Sequence, residues 1–113
     1  MNFKVMFNGG KQWINVTVWD VHPNTFERWN KTRWGYFQPT WKSTTTGEFG
    51  ELHFVKSGVR FDTIAHEIFH VIMEYVWANR TAVTSKNEEK YATMTDELCR
   101  KLEREFKKQG IKF

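Results

Sequence analysis

Cysteine is almost missing from this 113-residue chain, where Cys99 stands alone. A single thiol excludes an internal disulfide and agrees with a reducing compartment, so the cytoplasm is the default expectation. Long apolar runs are missing too. The longest, from Phe61 to Trp77, is interrupted by Glu67 and Glu74, and it falls short of the about 20 apolar residues that a membrane-spanning helix needs. No association with a membrane is expected. The opening residues Met1-Asn2-Phe3-Lys4-Val5 lack a charged head followed by an apolar stretch, so no secretion signal is expected either. Neither repeat nor linker is visible. Charge of one sign is not in marked excess: residues 1–58 hold seven basic and four acidic groups and residues 59–113 hold ten and nine, for a net charge of +4. That permits a weak preference for acidic partners and demands none.

What is present is a hydrophobic content of 40% and an aromatic content of 17%, which fits one globular domain over residues 1–113 rather than a disordered chain. Phe3, Val5 and Phe7 alternate with mostly polar neighbours, as in a half-buried strand over residues 2–7. Asn8-Gly9-Gly10 is a turn signal, and Trp13 to Trp19 reads as a second strand with Ile14, Val16 and Val18 on one face. Together they predict an N-terminal hairpin. After a break at His22-Pro23, Asn24 and Glu27 have the spacing of a capped short helix over 25–31. Trp29, Trp34, Tyr36, Phe37 and Trp41 then interleave with Arg28, Lys31, Arg33 and Lys42. One reading is a platform that stacks nucleic-acid bases; the other, which we favour, is that these rings fill the core of a small domain. Pro39 marks an edge position or a bulge. Ser43 to Gly47 reads as a loop and Glu48 to Lys56 as a strand.

The chemistry concentrates in Thr63-Ile64-Ala65-His66-Glu67-Ile68-Phe69-His70. The run from Phe61 to Trp77 has helical spacing and contains neither glycine nor proline, so it predicts a helix that is buried on most of its surface. His66 and His70, four apart, share one helix face and can offer two imidazoles to one ion. Zinc held this way keeps a position open for water, and Glu67 is the carboxylate that can take a proton from it. Ser85 predicts the cap of a second helix over 86–108, with Glu88 and Glu89 in its first turn and Tyr91, Met94, Leu98, Leu102 and Phe106 as its apolar stripe. Lys101, Arg104, Lys107 and Lys108 at its far end read as a solvated face.

Catalytic zinc takes three protein ligands, and no third histidine follows closely after His70. Glu88, Glu89, Asp96 and Glu97 are the acidic candidates, with Glu88 and Glu89 favoured because the start of a helix packed across the first would face the imidazoles. Helical phase sets Glu88 nearer the apolar stripe. The motif His66-Glu67-Ile68-Phe69-His70, followed by Asn87-Glu88-Glu89-Lys90-Tyr91-Ala92, resembles the gluzincin group of zinc metallopeptidases. The stretch from Gly47 to Phe54 leading into Thr63–Glu67 is similar to short phage-type zincin proteins. The resemblance covers about residues 47–98. It implies a zincin-like α+β fold, an edge strand before the metal helix that holds an extended peptide, and a third ligand with a small residue three positions later, which selects Glu89 over Glu88.

The expectation is therefore a small antiparallel sheet packed on two long helices. The implied activity is peptide-bond hydrolysis with zinc on His66, His70 and Glu89, and with Glu67 as general base. The substrate is a peptide or protein. Tyr75, Tyr91 and His53 are open candidates for oxyanion stabilisation, and Glu74, Asp96 and Thr95 for orienting the imidazoles. Two alternatives stand beside this reading. One is an inactive zincin scaffold that binds a protein or nucleic acid, and the other is a zinc-stabilised module without turnover.

Overall fold

The computed structural model describes residues 1–23, 34–40 and 47–113. The expected short helix over 25–31, the loop at 43–46 and part of the aromatic stretch, including Trp29 and Trp41, lie outside them. The described chain forms β1 (Asn2–Phe7), β2 (Gln12–Trp19), β3 (Gly35–Pro39), β4 (Gly47–Val55), α1 (Phe61–Ala78) and α2 (Glu88–Lys108). None of these helices is long and apolar enough to cross a membrane.

The N-terminal hairpin forms as its pattern predicts. Strands β1 and β2 pair antiparallel from Asn2 opposite Thr17 to Phe7 opposite Gln12. The turn uses Asn8, Gly9 and Gly10 at φ of 54°, 66° and 84°, a left-handed path suited to these residue types. Val5, Phe7, Ile14, Val16 and Val18 are all buried on one face.

The sheet is mixed, with strand order β1-β2-β4-β3. This corrects the antiparallel expectation: β2 and β4 run parallel, while β4 and β3 run antiparallel. Strand β4 is therefore interior and cannot be the edge expected to hold a peptide; β3 occupies that edge. The physical reason lies in the composition of β4. Phe49, Gly50, Leu52, His53, Phe54 and Val55 are all buried, so the strand needs cover on both faces and both sides. Pro39 ends β3 at the edge, where its missing N–H leaves no ladder bond unmade.

Both helices cover the same face of this sheet. Phe54 and Phe3 each meet Phe106 of α2 edge-on, with ring centroids 5.2 and 5.8 Å apart, while Phe7 and Phe49 meet Tyr75 of α1 at 5.8 and 6.0 Å. In α2 the expected stripe is realised, with Tyr91, Leu98, Leu102 and Phe106 buried. Each such side chain contributes on the order of 1.5–3 kcal/mol by leaving water. Ser85 is not the cap. The helix begins after Asn87, whose Oδ1 accepts the backbone N–H of Thr84 at 2.7 Å and ties the linking turn instead.

Both helices stop with the same pair of bonds. The N–H groups of Gly110 and Ile111 donate to Lys107 and Phe106 at the end of α2, and those of Arg80 and Thr81 donate to Trp77 and Val76 at the end of α1. This motif needs a left-handed residue after the helix. Gly110 supplies it freely at φ 79°, whereas Arg80 is held there at φ 52° against the preference of a residue with a Cβ.

Candidate metal centre

Helix α1 has two unlike faces. Ile64, Ile68, Val71, Ile72, Tyr75 and Val76 are buried toward the sheet and α2. The opposite face carries Ala65, His66, Phe69, His70 and Trp77, all exposed. The imidazoles thus point away from the core, and the expectation of a helix buried on most of its surface is corrected. Of the three groups only Glu67 is withdrawn from water. Its side chain is 5% exposed, against 55% for His66.

One helical turn brings the imidazoles together. Nε2 of His66 and Nε2 of His70 are 3.3 Å apart, with ring centroids at 4.9 Å and planes inclined by 74°. An ion bound tetrahedrally at about 2.0–2.1 Å to each of two nitrogens sets them about 3.3–3.4 Å apart. Two neutral rings sharing one N–H···N bond can adopt the same separation. Glu67 reaches the pair from the flank, its Oε2 lying 3.9 Å from Nε2 of His66.

Glu67 is seated against β3. A Cβ built on Gly35 would lie 2.8 Å from Cγ of Glu67 and 2.9 Å from its Oε2, so the strand backbone approaches the carboxylate where only glycine fits. Between β3 and α1 runs a cleft of about 480 Å3. Glu67 and His70 stand on its wall with Gly35, Tyr36, Phe37, Met73, Glu74 and Trp77. Its edges expose Phe69 and Trp77 at 61% and 64%.

The structure brings together His66, Glu67 and His70. It does not bring Glu89 to them. Glu88 and Glu89 are both exposed in the first turn of α2, and among the described residues no group of three or more His, Cys, Asp and Glu side chains is placed to hold one ion. Two imidazole nitrogens at a tetrahedral spacing nevertheless suit zinc, a metal of nitrogen, sulfur and carboxylate ligands.

The remaining expected residues divide by face. Tyr75 points into the core and its hydroxyl donates to Oδ1 of Asn8 at 3.1 Å, with Tyr91 packed beside it. Neither reaches the cleft. His53 is buried in β4, where Nδ1 accepts from Trp19 Nε1 at 3.0 Å and Nε2 meets Oε2 of Glu51 at 3.1 Å. Thr95 donates to the carbonyl of Tyr91 within its own helix, and Asp96 and Glu97 are exposed. Of the groups proposed to orient the imidazoles, Glu74 alone lines the cleft. Sequence reasoning missed Gly35 and Tyr36, for which no local signal exists. It also missed Phe69, Met73 and Trp77, whose spacing of four along the histidine face was a readable sign.

Comparison with protein-family models, curated proteins and solved structures returned no match.

Proposed function

We propose that this chain is a zinc-dependent peptidase in which His66 and His70 hold the ion and Glu67 is the general base. The observation that carries this reading is the 3.3 Å separation of the two Nε2 atoms, beside a carboxylate that is itself buried at the wall of a cleft. A purely structural two-histidine site has no use for that carboxylate.

When bound, zinc supplies a water acidified toward neutrality and a Lewis acid for the substrate carbonyl. Everything else falls to the chain. Glu67 takes the water proton on its carboxylate and passes it to the departing amine, so one water adds across one peptide bond. Burial against Gly35 and β3 fixes the carboxylate and shields it from competing solvent. The substrate lies along the cleft between β3 and α1, which takes over the peptide-holding role first expected of β4. We assign the third ligand to Glu89, with Glu88 as its competitor; either side chain must come to the imidazoles from the exposed start of α2.

The test pairs metal analysis with peptide turnover. Glu67→Gln is expected to retain one zinc per chain and to lose hydrolysis by about 10²–10⁴-fold; equal turnover in the two proteins removes Glu67 from the chemistry. Glu89→Ala is expected to weaken zinc more than Glu88→Ala, and the reverse order reassigns the ligand.

A binding protein on the same scaffold is the second reading, and the exposed Phe69 and Trp77 favour it. Zinc-loaded protein that cleaves no peptide while gripping a protein partner through those rings would establish it. Tight, salt-dependent binding to single-stranded nucleic acid would instead point to the aromatic and cationic stretch before β4.

A further inference from the structure

Glu74 stands one helical turn beyond His70 and lines the cleft with Phe37, Met73 and Trp77. It is half-buried, and among the described residues it has neither a hydrogen bond nor an ion pair. Among the described residues that line the cleft there is neither lysine nor arginine, and the acidic groups are Glu67 and Glu74. A carboxylate drawn partly out of water without a partner is held at a free-energy penalty, and a cation arriving in the cleft relieves it. Trp77, three residues on, occupies the same flank of α1 and is 64% exposed, free to offer its ring face to that cation. Met73 and Phe37 add an apolar wall against which a methylene chain can pack.

These features share one complement: a long apolar stem that ends in a positive charge. We propose that the cleft takes an arginine or lysine side chain of an extended peptide, with Glu74 pairing its charge and Trp77 covering it. The assignment rests on the peptidase reading for the ligand being a peptide. One helical turn is about 5.4 Å and an extended peptide advances about 3.3 Å per residue. The basic side chain therefore belongs to a residue one or two positions from the bond that meets His66 and His70. An apolar side chain in the same place would leave Glu74 further desolvated, so the cleft discriminates by charge rather than by size.

The experiment uses two labelled peptides that are identical except for one arginine replaced by citrulline, its neutral near-isostere. A third peptide carries leucine there. Binding is followed by fluorescence anisotropy on metal-stripped wild-type protein and Glu74→Gln, so that cleavage does not intervene. We expect the arginine peptide to bind wild type about tenfold more tightly than its citrulline twin, equivalent to about 1.4 kcal/mol, and the ratio to fall toward one in Glu74→Gln. Trp77→Leu, which keeps an apolar side chain, should lower the ratio in part. Equal binding of the twins, an unchanged ratio in Glu74→Gln, or leucine binding most tightly overturns the assignment. The zinc-loaded protein is then given the same peptides. Discrimination without cleavage rejects the peptidase reading and leaves the cleft's charge preference standing, whereas cleavage without discrimination rejects the preference alone.

Discussion

Replacing Gly35 by alanine tests the seating of Glu67 through a single methyl group. The added Cβ would lie 2.8 Å from Cγ, 2.9 Å from Oε2 and 3.1 Å from Cδ of Glu67, against about 3.5–4.0 Å for comfortable contact between carbon atoms. Two effects compete. Removing a glycine from the unfolded chain stabilises by about 0.4–1 kcal/mol. Overpacking a filled site destabilises by about 1–3 kcal/mol. Because Glu67 is only 4% exposed, it has little room to retreat, and the clash should win by about 1–2 kcal/mol. For a domain of this size that corresponds to a fall in Tm of about 4–8 °C. The control is the same substitution in a Glu67→Ala background, which has no Cγ, Cδ or carboxylate to strike. There Gly35→Ala should be neutral or stabilising, giving a coupling of about 1–3 kcal/mol in a double-mutant cycle read by chemical denaturation. If Gly35→Ala costs the same in both backgrounds, the strand does not constrain the carboxylate and the seating described above is wrong.

Replacing His66 or His70 by alanine should abolish tight zinc binding in a calorimetric titration. Because both imidazoles are exposed, the metal-free variants should keep wild-type stability within about 0.5 kcal/mol; a large loss would place these rings in the core. The Cys99 thiol is pushed up from its ordinary pKa by burial, then by Glu103 and Asp96, so less of it is thiolate at any mildly alkaline pH. Its alkylation by iodoacetamide at pH 8 should be slower than that of a free thiol, and mass spectrometry showing a faster reaction would contradict its burial. Arg80→Gly should raise stability by about 0.5–1 kcal/mol by relieving the left-handed position after α1, whereas a loss would mean that the arginine side chain holds the turn.

Much of this architecture was legible in short-range pattern. The alternation of Phe3, Val5 and Phe7, the Asn8-Gly9-Gly10 turn, and the stripe from Tyr91 to Phe106 each report a local period, and each element formed where that period predicted. Strand partnership was not legible. The apolar composition of β4 asks for cover but does not name its partners, because which strands flank it is decided by how much apolar surface the assembled layers hide. The orientation of α1 was legible and misread. Phe61 to Trp77 contains two apolar stripes, and Phe69, Met73 and Trp77 recur every four residues on the face that bears His66 and His70. Phe69 and Trp77 of that second stripe are exposed with the imidazoles, and Glu67 alone of the three groups turns inward. For Glu88 and Glu89 a helical wheel can rank angles, but both stand in solvent in the first turn of α2.

The seam where β2 meets β4 shapes how the molecule comes together. Gln12 lies opposite Gly47 and Trp19 opposite Val55, so this pairing closes a loop of some 35 residues, while β1 and β2 are joined by one tight turn. On a logarithmic law the longer closure loses about 2 kcal/mol more chain entropy than the short one. The sheet is in effect two antiparallel pairs, β1 with β2 and β3 with β4, stitched side by side along that junction. Damage within either pair is felt first by that pair, whereas damage along the stitch leaves the two joined through the helices, whose Phe106 and Tyr75 each touch both.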